Sequence, residues 1–147
     1  MKTLENYEKI AKQNKKRNKK FLEEFEKELN NKGLSEKTIK NHINNIDLYI
    51  NDYLNYYEFT NMEEGCHMID GFLGDWFIRK CMWSTAYSIK TTAASIKKFY
   101  QHMSELNYIS KEDYKFLCDE IKDNMEFWIE EVNEYNDNSF IYDIDLL

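Results

Sequence analysis

Proline is absent from this sequence and glycine occurs only four times. Without proline the chain lacks the residue that most firmly stops a helix, and with so little glycine it lacks the usual material of tight hairpins. Long uninterrupted helices are therefore expected, and no β-sheet pattern appears before the last dozen residues. No run of about eighteen apolar residues exists, so no membrane-spanning helix and no membrane partner are expected. The start, MKTLENYEKIAKQNKK, is too charged for the apolar core of a signal peptide. A cytoplasmic location is the expectation.

Cysteine is scarce. Cys66, Cys81 and Cys118 are odd in number and form no CxxC pair, as expected of buried free thiols in a reducing compartment. Cys66 stands beside His67, but a structural zinc site needs about four ligands and no second cluster is visible. Neither a metal nor any other cofactor is expected. Arginine occurs only at Arg17 and Arg79. With no Gly-rich phosphate loop and no nucleophile motif either, the chain is not expected to be an enzyme.

What is abundant is aromatic residues, 16% of 147, and charge of both signs. The net charge of −7 conceals a gradient. Residues 1–50 carry 12 Lys/Arg against 8 Asp/Glu, a balance of +4; residues 51–110 carry 5 against 7, or −2; residues 111–147 carry 3 against 12, or −9. One end of the chain suits a polyanion and the other repels it.

Gly33 to Tyr57 organises the reading. Gly33 can close a preceding helix in the left-handed conformation, and Ser35 can cap the next. Ile39, Ile43, Ile46, Ile50, Tyr53, Leu54 and Tyr57 then fall on one stripe. Ser35, Lys37, Thr38, Lys40 and Asn41 gather at the start of that helix, where hydroxyls, ammonium groups and free N–H groups suit phosphate oxygens. The same residues also suit plain capping with solvated lysines.

Before it, residues 4–31 read as helix, with Leu4, Tyr7 and Ala11 and then Phe21, Leu22, Phe25 and Leu29 on one face. Asn14 and Asn18 interrupt that face, so the pattern fits one helix exposed in its middle or two helices jointed near Asn18. The run KQNKKRNKK places Lys12, Lys15, Lys16, Arg17, Lys19 and Lys20 together, either as a solvated arm or as a phosphate-contacting one.

After it, Thr60 and Glu63 fit a capping box. Met62, Cys66, Ile69, Leu73, Trp76 and Phe77 keep helical spacing, with Gly65, Gly71 and Gly74 marking a possible break. Ser84 or Ser88 can cap a further helix whose buried stripe is Ile89, Ala93, Ile96, Phe99, Tyr100, Met103 and Leu106. Lys90, Thr91, Thr92, Lys97 and Lys98 lie off that stripe and form a second group of cations and hydroxyls.

Ser110 opens a last helix expected to run to about Tyr135. Tyr114, Cys118, Ile121, Met125, Trp128, Val132 and Tyr135 repeat every seven residues, a narrow seam that packs on another helix of this chain, of a second copy or of a partner protein. The opposite side is anionic. It is either solvated or a pseudo-substrate covering the basic region. The tail SFIYDIDLL, with Phe140, Tyr142, Ile144 and Leu146 alternating, is expected to pack in extended form against the bundle, with a partner-binding peptide as the alternative.

The stretch FLEEFEKELNNKGLSEKTIKNHINNIDLYINDYL, then GFLGDWFIRKCMW, then YSIKTTAASIKKFYQHMSELNYIS resembles the N-terminal core-binding, or SAM-like, domain of tyrosine recombinases of the phage integrase type. GLSEKTIKNH is similar to that family's second-helix start, and SIKKFYQHMSELNYI to its closing helix. The likeness spans roughly residues 19–110 and rests on common residue types. It implies an all-α fold: a four-helix SAM-like bundle over residues 21–110, with a basic helical extension over 1–20 and an added acidic helix and tail over 111–147, in a single helical domain. It also implies a clamp on double-stranded DNA, with Ser35, Lys37, Thr38, Lys40 and Asn41 and then Lys90, Thr91 and Thr92 directed at the duplex. Lys15, Lys16, Arg17, Lys19, Lys20 and Lys97 complete the candidate surface.

The sequence departs from the family where strand cleavage would be housed. Beyond Ser110 there is no Arg and no His to hold a phosphate in flight, although Tyr114, Tyr135 and Tyr142 are present. DNA binding without recombinase chemistry is the expectation, with a protein-interaction domain that kept the bundle as the alternative. The DNA reading requires the two helix starts to converge on one cationic surface clear of the acidic region.

Overall fold

The computed structural model describes residues 3–145, with side chains through Asn138. It is all-helical, and the described residues contain no strand. The elements are α1 (Leu4–Asn31), α2 (Glu36–Asp47), α3 (Ile69–Gly71), α4 (Phe77–Lys80), α5 (Ala86–Glu105) and α6 (Lys111–Asp145). A π-helical segment, Leu48–Tyr53, continues α2, a second, Phe72–Trp76, joins α3 to α4, and Met62–His67 is a 3-10 helix.

α1 is one continuous helix without a joint at Asn18. The polar middle of its inner face is buried, not exposed: Asn18 is 4% accessible and donates to the Ile50 carbonyl at 3.1 Å and to Asn51 Oδ1 at 2.9 Å. One turn earlier, Asn14 donates to Asn55 Oδ1 at 2.9 Å. These amides tie α1 to the π segment, while Phe21, Phe25 and Leu29 pack into the common core.

The turn after α1 follows the sequence closely. Gly33 takes φ +75°, Leu34 N–H bonds the Leu29 carbonyl and Gly33 N–H bonds that of Asn30, which satisfies carbonyls left free at the helix end. Ser35 caps α2 by accepting from Thr38 N–H at 3.2 Å.

The central helix ends earlier than its apolar spacing implies. The π segment closes at Tyr53, and Tyr57 is 66% exposed. Tyr49, absent from the expected stripe, is fully buried. The widened turn lets both Tyr49 and Ile50 face the interior, and it meets its counterpart in an aromatic cluster. Tyr49 lies 4.8 Å from Phe72, and Tyr53 lies 5.0 Å from Phe72 and 5.6 Å from Trp76.

Other start signals are displaced by a residue or more. Thr60 is buried and forms no capping box; the 3-10 helix begins after Asn61 without a side-chain cap. α5 is capped by Thr85 rather than Ser84 or Ser88, with Ser88 answering from N3 in a reciprocal box. Thr92, expected off the buried stripe, is 2% exposed, and Ser95 is fully buried. Leu106, placed on that stripe, is 38% exposed.

α6 starts at Ser110, whose hydroxyl accepts from Asp113 N–H at 3.0 Å. It continues to Asp145, so the backbone expected to be extended is helical; the side chains of Phe140, Tyr142 and Ile144, and all of Leu146, lie outside the described residues. The heptad seam closes on this chain itself: α6 packs on α5 and on the segment from Met62 to Lys80, burying Leu117, Trp128 and Val132 completely. Full burial of each such side chain contributes about 1.5–3 kcal/mol. Trp128 and Val132 of the seam are thereby covered within the chain, while Tyr135 of the same seam stays 43% exposed, and Phe116 and Phe127 on α6 are exposed as well.

Candidate nucleic-acid interface

α2 and α5 pack side by side in antiparallel sense. His42 Nδ1 lies 2.7 Å from Ser95 Oγ, and Asn45 donates to the same oxygen at 3.0 Å. Burial and then Lys98 hold the His42 pKa below its usual value, which places the far half of α5 beside the beginning of α2. At the other end, Leu48 and Asp52 share a groove with Tyr87 and Ser88. The two helix starts therefore lie at opposite ends of the pair. The expectation that Ser35–Asn41 and Lys90–Thr92 converge on one cationic surface is not met, because the buried stripes of the two helices pack them antiparallel with their starts apart.

The individual candidates fare unequally. Ser35 and Thr38 spend their hydroxyls on each other, 2.9 Å apart, in capping geometry. Lys37 and Lys40 are exposed, but Lys40 shares a shallow depression with Glu26 and Glu36. Thr91 donates to the Ser88 carbonyl at 3.2 Å, and Thr92 is buried. Lys90 and Lys97 are exposed on α5.

Asn41, Thr91 and Thr92 line the groove between α2 and α5, a volume of about 560 Å³. No lysine or arginine lines it; Asp47 and Asp52 do. Partial burial and the neighbouring Asp47 carboxylate push the Asp52 pKa upward, with Lys15 opposing them. A phosphate would meet repulsion there. Trp83 and Tyr87 stand on the groove's rim, 63% and 76% exposed, next to Met82 at 99%. The indole of Trp83 is braced edge-on by Phe77, with ring centroids 6.4 Å apart. No sequence pattern assigns these three residues a role: Met82 and Trp83 stand in the connection before α5 and Tyr87 in its first turn, off the buried stripe.

The basic run survives best. Lys15, Lys16, Arg17, Lys19 and Lys20 are all exposed on α1. Arg17 is diverted: it pairs with Glu63 at 2.9 Å and lies 5.0 Å from the Phe21 ring centroid. Lys12, Lys16, Lys19 and Lys20 form no salt bridge among the described residues. At 100° per residue they project opposite the buried stripe of Asn18, Phe21, Phe25 and Leu29, joined by Lys9 one turn earlier. Between Lys9 and Lys20 no carboxylate interrupts this stripe.

The acidic helix does not cover it. α1 packs chiefly on α2, the π segment and α5, whereas α6 packs on α5 and on residues 62–80. Asp119, Asp123, Glu126, Glu130 and Glu134 face solvent along α6. The pseudo-substrate expectation accordingly fails for this surface, since α6 makes its main contacts elsewhere. His67 is not a metal ligand candidate with Cys66: its Nε2 is engaged by Asp113 Oδ1 at 2.9 Å, while Cys66 is fully buried. No helix among the described residues is long and apolar enough to cross a membrane. Comparison with family models, with curated proteins and with solved structures finds no match to this chain.

Proposed function

We propose that this chain is a non-catalytic DNA-binding module that grips the phosphate backbone of duplex DNA through the outward stripe of α1. The observation that carries this reading is the row Lys12, Lys16, Lys19 and Lys20, unpaired on a continuous helix that packs chiefly on α2, the π segment and α5 and not on the acidic α6. Lysines in such a row act as point charges that replace condensed counterions on DNA without reading sequence. The helix-start surface that the resemblance to recombinase core-binding domains implied is not assembled, so the lysine row of α1, and not that resemblance, supports DNA binding. The helix starts of α2 and α5 play at most an auxiliary part.

Fluorescence anisotropy with a labelled duplex tests the proposal. Neutralising about four phosphates implies roughly a hundredfold loss of affinity between 50 and 200 mM salt. Charge reversal of Lys12, Lys16, Lys19 and Lys20 together should abolish binding, while reversal of Lys37, Lys40 and Lys90 should leave most of it. Absence of saturable binding at low salt, or equal binding by the α1 variant, ends this reading.

The exposed rim of Met82, Trp83 and Tyr87 favours a second one, a protein-interaction domain that takes a basic partner segment in the Asp47–Asp52 groove. Trp and Tyr are among the residue types that dominate binding energy at protein interfaces, and Met is enriched there. Lack of DNA binding together with self-association lost on Trp83→Ala would select it.

A further inference from the structure

We propose that Glu28, His102 and Glu105 form a binding site for a divalent transition-metal ion, with zinc the best match. His102 Nδ1 lies 3.4 Å from Glu105 Oε2 and 3.6 Å from Glu28 Oε2, and the three donor atoms all fall within 4.8 Å of one another. These separations are long for a charge-assisted N–H···O bond, which closes to about 2.7–2.9 Å. They are close to the spacing of about 3.3–3.4 Å between neighbouring ligands of a tetrahedral ion bound at 2.0–2.1 Å. One imidazole nitrogen can donate a proton to only one of the two carboxylates, whereas a metal ion accepts an electron pair from all three groups at once.

The scaffold is suited to the task. Glu28 precedes the buried Leu29 in the last turns of α1, and His102 stands between the buried Tyr100 and Met103 on α5, so both backbones are fixed by the core. The His102 side chain is 11% exposed, while Glu105 is 54% exposed and free to swing onto an ion. The spacing of three between His102 and Glu105 puts them on one helix face. Lys32 Nζ, 3.5 Å from Glu28 Oε1, holds that oxygen and leaves Oε2 turned to His102, the outer-shell orientation that metal-binding carboxylates need.

Two carboxylates facing one imidazole repel each other, and a dication relieves that repulsion more fully than an imidazolium does. Nitrogen and oxygen donors select Zn²⁺, Co²⁺ or Ni²⁺ over Mg²⁺ or Ca²⁺, and three protein ligands leave a coordination position for water. The ion would join the C-terminal ends of α1 and α5 beside the turn into α2. No local motif announces the site, because Glu28 is far from His102 in sequence.

The test is isothermal titration of the full chain with Zn²⁺, paired with thermal unfolding. The expected result is one ion per chain and a rise in Tm of several degrees. Glu105→Gln, at an exposed position, should weaken binding roughly tenfold or more, and His102→Ala should abolish it. Co²⁺ should give visible d–d bands without a thiolate charge-transfer band, which separates this site from the three cysteines. Equal Zn²⁺ binding by wild type, Glu105→Gln and His102→Ala, a thiolate band with Co²⁺, or no stoichiometric binding overturns the proposal.

Discussion

The indole N–H of Trp128 donates to Asp70 Oδ1 at 2.7 Å, fastening the middle of α6 to α3. The same ring closes over Gly74, where an added Cβ would stand 3.0 Å from Trp128 Cδ1. Trp128→Phe should cost about 1–2 kcal/mol, since a hydrogen bond to a charged acceptor is lost, and Trp128→Ala about 3–5 kcal/mol. Gly74→Ala should destabilise through the same contact. Urea unfolding measures all three; a Trp128→Ala variant as stable as wild type would mean that α6 is not part of the cooperative core.

Two buried tyrosines support the 3-10 helix, with their rings 6.4 Å apart edge to face. Tyr49 donates to the Gly65 carbonyl and Tyr100 to that of Met62, the latter at 2.7 Å. The Tyr100 hydroxyl occupies the space a Cβ on Gly65 would need. Gly65→Ala is expected to cost several kcal/mol, in the range of overpacked cores, about 1–3 or more. Adding Tyr100→Phe should recover part of that loss although it is destabilising alone by about 1 kcal/mol. Strict additivity in the double-mutant cycle would contradict the clash.

Asn18 is the polar group on which the attachment of α1 to the π segment depends. Asn18→Ala removes a buried donor and leaves the Ile50 carbonyl and the Asn51 amide oxygen short of a partner, at a cost of about 1–3 kcal/mol. Amide exchange should accelerate in the first half of α1 and in residues 48–53. Exchange rates unchanged in both segments would show that the apolar contacts alone hold them.

Alkaline pH should destabilise the protein through its thiols. Burial, and then the Asp113 charge, pushes the Cys66 thiol up to about 12, and burial, then Asp52, pushes Cys81 up to about 11. Unfolded thiols ionise near about 8.5. Above that value the unfolded chain releases protons that the folded chain retains, so stability is complete below it and declines as pH rises toward 12. Burial also raises Tyr49 and Tyr100, which adds to the decline at its upper end. Under native conditions iodoacetamide should modify the partly exposed Cys118 first, with Cys66 and Cys81 reacting only on unfolding. Equal labelling of all three in the folded protein would refute this burial.

The sequence by itself determined where α1, α2 and α6 begin and the greater part of the stripes that α2 and α5 bury. Gly33, Ser35 and Ser110 act on backbone groups within about four residues, and the stripes of α2 and α5 are periodic properties of short segments, so neighbours in sequence suffice to decide them. It also determined the separation of basic and acidic regions along the chain. The tertiary structure alone decided that Asn18, Thr92 and Ser95 turn inward, that π turns admit Tyr49 to the core, and that α2 and α5 run antiparallel with their starts apart. It alone brought Glu28 to His102. Those outcomes depend on which helix faces meet across the bundle, and that is fixed by the volume and shape of side chains distant in sequence, which no local pattern encodes.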